Sequence, residues 1–246
     1  MAYQQVTDAL DPSWAQAYTR VEGEQKAKMR AALESLLRAR KLDVTLTSAP
    51  GALAPPPERL APTGTPGLDA ALGGGLRRGH LSEVAGPVSS GATTMAVAAM
   101  TAAADRGEAV ALVDTSDTFD PASAAASGFD LARLLWVRDT GDAHRALKAF
   151  SLILQAGGFG LVVLDLADVA AAALRRYPYT TWMRVARIVE GTDTAALLVV
   201  RERLARSAGG VTITVDAPAA RWHGEAHRAR VFQGVLAAPR VIGGRR

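Results

Sequence analysis

Short apolar runs alternate with longer amphipathic ones through the middle of this chain. Leu81–Ala85, Ala109–Val113, Leu134–Val137, Leu161–Leu164, Ala195–Val200 and Val211–Val215 are runs of strand length rich in Val, Leu and Ala. Between them Met95–Asp105 is an Ala-rich helical run, and Ala143–Gln155 and Thr181–Val189 read as helical. Strands alternating with helices predict a parallel sheet covered on both faces, an α/β fold. In such sheets ligands sit at the carboxyl ends of the strands, which places Asp114, Asp165 and the turn after Ala85 at one edge.

The stretch before this region reads differently. Glu22–Leu42 holds Met29, Leu33, Leu36 and Leu37 at i, i+4, i+7 and i+8, one apolar stripe, with Lys26, Lys28, Arg30, Arg38 and Arg40 mostly elsewhere. The pattern predicts a helical arm over residues 1–46, with those four residues as candidates for partner binding. Pro50, Pro55, Pro56, Pro57 and Pro62 then predict an extended linker over 47–62. The core is expected over 63–215, and a strand with a basic tail over 216–246.

Composition narrows the class. The 246 residues are long enough for a sizeable core, and no apolar run approaches the roughly 18 residues of a membrane span. The start, Met1-Ala2-Tyr3-Gln4-Gln5, lacks the basic-then-apolar pattern of a signal peptide, so a cytoplasmic protein is expected. Without cysteine there is neither a disulfide framework nor a thiolate metal site. The formal net charge is +4. Residues 216–246 hold six arginines (Arg221, Arg228, Arg230, Arg240, Arg245, Arg246) against Asp216 and Glu225, which is the whole excess. Such a segment suits a polyanion or an acidic partner, or is simply a solvated end. His223 and His227 are four apart, but Gly224 disfavours a helix and no third ligand is evident, so no metal site is expected.

The sharpest motif is Gly86-Pro87-Val88-Ser89-Ser90-Gly91-Ala92-Thr93-Thr94. It lies between a strand and a helix, where glycines let backbone N–H groups cradle phosphate and the helix dipole favours an anion. Gly86 and Gly91 have the phosphate-loop spacing, and Thr93 stands where a hydroxyl would meet magnesium. The residue before Thr93, normally lysine, is Ala92. A hydrogen bond to a charged group contributes roughly 1.5–3 kcal/mol, and a methyl group supplies none of it. The turn can persist as architecture while nucleotide affinity and transition-state stabilisation fall.

Taken together, Thr63-Gly64, Leu68-Asp69, Gly73-Gly74-Gly75-Leu76, Gly79, the loop at 86–94, Asp114 through Asp120-Pro121 and Leu161–Asp165 resemble the RecA recombinase core. The resemblance runs from about Thr63 to Val215, and the 22–42 helix resembles the arm with which RecA subunits polymerise. It implies a RecA-like, mostly parallel sheet flanked by helices. It also implies that three positions of the family's chemistry are changed. The lysine position is Ala92, the catalytic glutamate position is Ser116, with Asp117 displaced by one, and the nucleotide-sensing glutamine position is Glu202. A pseudo-ATPase without ATP or magnesium as cofactor is expected. Asp165 is then either a magnesium-holding carboxylate or a strand end satisfied by a hydroxyl such as Thr93, and Thr94 is a helix cap.

The same resemblance locates candidate DNA contacts. The segment after Asp165 holds Arg175, Arg176, Tyr177 and Tyr179, which suit phosphate contact and stacking or a helix end with tyrosines packed inward. The second DNA loop of the family is nearly gone, 201–210 bridging directly to the next strand. Arg201, Arg203 and Arg206 remain, and the terminal Arg245 and Arg246 join the candidates. A short, lysine-free relative of this kind is most similar to the ImuA family. That resemblance implies a non-catalytic adaptor in damage-induced translesion synthesis, with an ImuB-like Y-family polymerase homologue, RecA and DNA as partners. Two alternatives stay open: a DNA-stimulated ATPase of the recombinase-paralogue type, with Arg77, Arg78 or a neighbour's arginine supplying the missing charge, and a SulA-like division inhibitor.

Overall fold

A computed structural model of the chain describes residues 59–139, 141–205, 210–216, 219–224, 230–236 and 239–242. All of them belong to one compact unit, Ala54–Arg246. The 22–42 helix with Met29, Leu33, Leu36 and Leu37 lies outside the described residues, as do Arg206, His227, Arg245 and Arg246.

A seven-stranded sheet forms the centre. In chain order the strands that build it are β3 (Leu81–Ala85), β4 (Val110–Asp114), β5 (Leu134–Arg138), β6 (Leu161–Asp165), β7 (Ala195–Val200), β8 (Thr212–Val215) and β11 (Pro239–Ile242). Their spatial order is β11-β8-β3-β7-β6-β4-β5, with every pair parallel except β11 against β8. The alternating apolar character is resolved strand by strand. Val84, Leu112, Val163, Leu197 and Ile213 face one core, and Leu81, Ala85, Val113, Leu164 and Leu198 face the other. The first core packs under α1 (Pro66–Leu72), α2 (Ala92–Asp105) and α3 (Pro121–Ala126); the second packs under α4 (Ala143–Ala156), α5 (Ala171–Leu174) and α6 (Tyr179–Val189). Phe150 and Trp182 are the largest side chains closed inside the second.

Three features depart from the pattern-based expectation. The stretch expected as linker ends in β1 (Leu60–Ala61), which pairs antiparallel with β2 (Leu76–Arg77) because the Gly73–Gly75 turn folds the chain back. Gly75 is required there, since a side chain would meet the Ala61 carbonyl. The second is α2, which starts at Ala92 rather than Met95, because Gly91 adopts φ 93° and caps it directly. Finally, the C-terminal region is a hairpin, β9 (Ala219–His223) with β10 (Val231–Leu236), followed by β11, which returns to close the sheet edge beside β8.

Candidate functional site: a phosphate-type loop at the carboxyl edge of the sheet

Strand β3 is central and fully buried, so its exit at Ala85 delivers the chain to the middle of the carboxyl edge. Gly86 must be glycine, because a Cβ there would stand 2.8 Å from the Val215 carbonyl oxygen and run into the Ser90 side chain. The loop folds back through the Ser90 N–H donating to the Pro87 carbonyl, 3.1 Å, with Ser89 in the left-handed region at φ 63°. Ser90 is buried, and its Oγ accepts from the Ala92 N–H at 3.3 Å. Ala92 is buried in the apolar core with Met95, Ala96 and Ala99, while Thr93 and Thr94 are exposed. Thr94 does not cap α2: Gly91 occupies the cap position and no side chain caps the helix. The loop, with Ala167, Asp168 and Arg201, lines a cleft of about 240 Å³.

The charges around this cleft are paired. Arg201 donates to Asp168 at 2.7 Å in its lining. Arg78, one of the arginines expected to replace the lysine, sits at the opposite edge of the sheet. It donates to the carbonyls of Leu60, Gly160 and Asp193 and pairs with Glu108. Burial pushes the Glu108 carboxyl up, but hydrogen bonds from Arg106 and Arg78 outweigh it and hold it below the usual carboxylate range. Arg78 is therefore a clamp for the amino ends of the strands.

Asp114 and Asp165 face each other across the β4–β6 ladder. Asp114 is buried and accepts from the Thr118 N–H, the Phe119 N–H and the Trp136 indole, which fixes the turn after β4. Asp165 accepts from the Ala167 N–H at 2.9 Å, not from Thr93. The hydroxyl expected as its partner is exposed on α2, whereas the Ala167 amide is two residues away in the same turn. Desolvation raises the Asp165 carboxyl to about 6, outweighing that N–H, and Asp114 and Asp168 add to the rise. Ser116 is half-buried in the turn at 115–119. Asp117 is not on a strand at all. It sits in the turn at φ 54° and holds Arg138 at 2.6 and 2.7 Å, and that hydrogen bonding lowers its carboxyl below the usual range. Arg138 in turn lies 4.7 Å over the Trp136 ring.

The family model for the RecA N-terminal domain matches residues 33–176. This chain belongs to the RecA N-terminal domain family. Among curated relatives, RecA of Kineococcus radiotolerans is 40% identical over 112 residues, covering 45% of this chain and 32% of that protein. RecA of Mesorhizobium japonicum is 42% identical over 116 residues, 46% of this chain and 31% of that one. The match thus spans about a third of the relatives' length. A crystal structure of the RadB recombinase aligns at TM-score 0.51 and 21% identity, covering 64% of this chain and 83% of that one, which shows the fold.

Within this RecA-family core, the segments after β6 and β7 come together at the cleft. Arg175 and Arg176 are exposed at the end of α5. Tyr177 is half-buried, edge-on to Trp182 at 6.3 Å, and burial raises its phenol. Tyr179 is 47% exposed at the start of α6. Glu202, at the nucleotide-sensing position, is paired with Arg175 at 3.5 Å, and Arg203 is exposed. Beneath this segment lies Glu83 of β3, which the sequence reading passed over. It is fully buried and accepts from the Leu204 N–H (2.9 Å), the Ala205 N–H (2.8 Å) and the Thr212 hydroxyl (2.7 Å). A lone acid inside the apolar run Leu81-Ser82-Glu83-Val84-Ala85 was the available signal, because a carboxyl buried on a central strand requires dedicated donors.

Proposed function

We propose that this RecA-family chain is a non-catalytic adaptor of the ImuA type. In this reading it works in damage-induced translesion synthesis, binding an ImuB-like Y-family polymerase homologue, with RecA or DNA as a further partner. The observation that carries the proposal is the loop itself: its turn is built, yet Ala92 brings only a core-packed methyl to the lysine position, and the Arg201 guanidinium lining the cleft is paired with Asp168. Magnesium ATP needs cations and open carboxylates here. The lysine position supplies no charge, the Arg201 guanidinium is neutralised by Asp168, and Ser116 offers no carboxylate to polarise water. These residues do not fit the nucleotide–metal group, so no catalytic step is assigned.

The adaptor reading is tested by mixing the purified chain with purified ImuB-like protein at micromolar concentration. A stable complex, seen by analytical ultracentrifugation and weakened by polar substitution of Leu33 and Leu37, is the expected result. No complex contradicts the assignment.

A second reading, a DNA-stimulated ATPase of the recombinase-paralogue type, draws on one observation. Arg201 lines the cleft and would bring a guanidinium to bound phosphate if it left Asp168. DNA-dependent phosphate release that is lost in Arg201→Ala would favour it.

A further inference from the structure

The segments that follow β6 and β7 are tied to each other reciprocally. The first contributes an acid and then a base, Asp168 and Arg175; the second contributes a base and then an acid, Arg201 and Glu202. Arg201 reaches Asp168 at 2.7 Å and Arg175 reaches Glu202 at 3.5 Å, so each arginine carries a carboxylate from the other segment. All four side chains are between 45% and 72% exposed. Exposed pairs of this kind are weak, and salt screens them readily. Glu83 holds the second segment from below through the Leu204 and Ala205 amides, so the arginines are presented from a fixed backbone. Arg176 and Arg203 are exposed in the same segments, adding two further guanidinium groups.

We propose that Asp168 and Glu202 are resident competitors for nucleic-acid phosphate. They occupy Arg201 and Arg175 in the free protein, and a single strand engages this edge by displacing them. The inference rests on the reading that these arginines contact DNA. It adds that binding is held down by two built-in carboxylates. Single-stranded nucleic acid is the partner that fits, because arginines spread over two segments match a flexible phosphate backbone. Each displacement releases one carboxylate and frees one guanidinium, so both affinity and its salt dependence are set by the acids.

The experiment is fluorescence anisotropy with the full chain and labelled oligo-dT across a salt series. Asp168→Asn/Glu202→Gln is compared with wild type and with Asp105→Asn/Glu190→Gln, a remote variant of equal charge change at the opposite edge of the sheet. The acid-free variant is expected to bind about 5–10-fold tighter at low salt, while the remote variant shifts affinity by less than about twofold. Equal gains in both variants, or no gain in the first, overturn the proposal. Arg175→Ala/Arg201→Ala separates the two levels of failure. If it binds as wild type does, the DNA reading of this edge is wrong. If it binds weakly while the acid-free variant gains nothing, the reading stands and resident competition is wrong. Displacement of the strand by polyglutamate at equal charge concentration identifies an acidic protein as the partner and overturns the choice of nucleic acid.

Discussion

Glu83→Ala tests how this edge of the protein is held together. The carboxyl is fully buried on β3, and its three donors come from residues more than a hundred positions later in the chain. Oε2 takes both amides, of Leu204 and Ala205, and Oε1 takes the Thr212 hydroxyl. Truncation strands the buried Ala205 N–H, costing about 1–3 kcal/mol, and the half-buried Leu204 N–H, costing less, while the Thr212 hydroxyl can rotate toward another acceptor. The small void left behind adds to the loss. The sum is about 3–5 kcal/mol, a large part of the roughly 5–15 kcal/mol that stabilises a domain. Glu83→Gln should cost about 1 kcal/mol, since its one oxygen can still accept both amides while the NH₂ group meets Thr212. Urea denaturation followed by tryptophan fluorescence gives both values, and hydrogen exchange at Leu204 and Ala205 shows where the loss is felt. An alanine variant within about 1 kcal/mol of wild type, or a glutamine variant as damaged as alanine, refutes the reasoning.

Two other substitutions probe the loop and the strand ends. The Asp165 carboxyl titrates at about 6 when folded against an ordinary 3.8, so the native state holds the extra proton between those values and stability falls as pH rises through them. Two pH units at about 1.4 kcal/mol each make the ionised group a burden of about 3 kcal/mol at neutral pH. Asp165→Asn should therefore gain about 2–3 kcal/mol at pH 7 and nothing near pH 4 in parallel denaturation curves, and a net loss at pH 7 contradicts the assigned environment. Gly86→Ala places a methyl 2.8 Å from the Val215 carbonyl oxygen. It should cost about 2–4 kcal/mol in thermal or chemical unfolding, and a neutral result would mean that the loop yields freely.

The fold was legible because each core strand is a short apolar run, and the long helices are either Ala-rich, as α2 is, or distinctly amphipathic, as α4 and α6 are, a contrast that local pattern captures. The six expected core strands form, two at the expected bounds and four with one or both ends shifted by a residue, the shift being set by backbone pairing that side-chain pattern does not encode. Short elements were not legible. The two-residue β1 has no period to read, and α3 and α5 are held by Asp120 capping and by tertiary packing rather than by long stripes. Strand β11 escaped because Pro-Arg-Val-Ile becomes a strand through its register with β8, across a hairpin insertion. At the candidate site the glycine spacing revealed the loop, and Ala92 and Ser116 marked where it departs from a working phosphate site. Partner choices were beyond reach. Asp165 found a backbone amide, Asp117 turned to Arg138, and Arg201 met Asp168, each decided by a turn geometry that one-dimensional spacing leaves open. Glu83 was visible as an oddity in an apolar run, but its donors lie on segments that only the folded sheet brings near.

The central claim is that a RecA-family core has kept its phosphate loop as architecture. Calorimetric titration of the purified chain with magnesium ATP, with and without single-stranded DNA and alongside a phosphate-release assay, tests it most directly. The account predicts no saturable heat and no turnover in either condition, with wild type and Ala92→Lys both inactive in hydrolysis because Ser116 supplies no carboxylate. Saturable binding with DNA-stimulated phosphate release by the wild-type chain would contradict it and make this protein an enzyme.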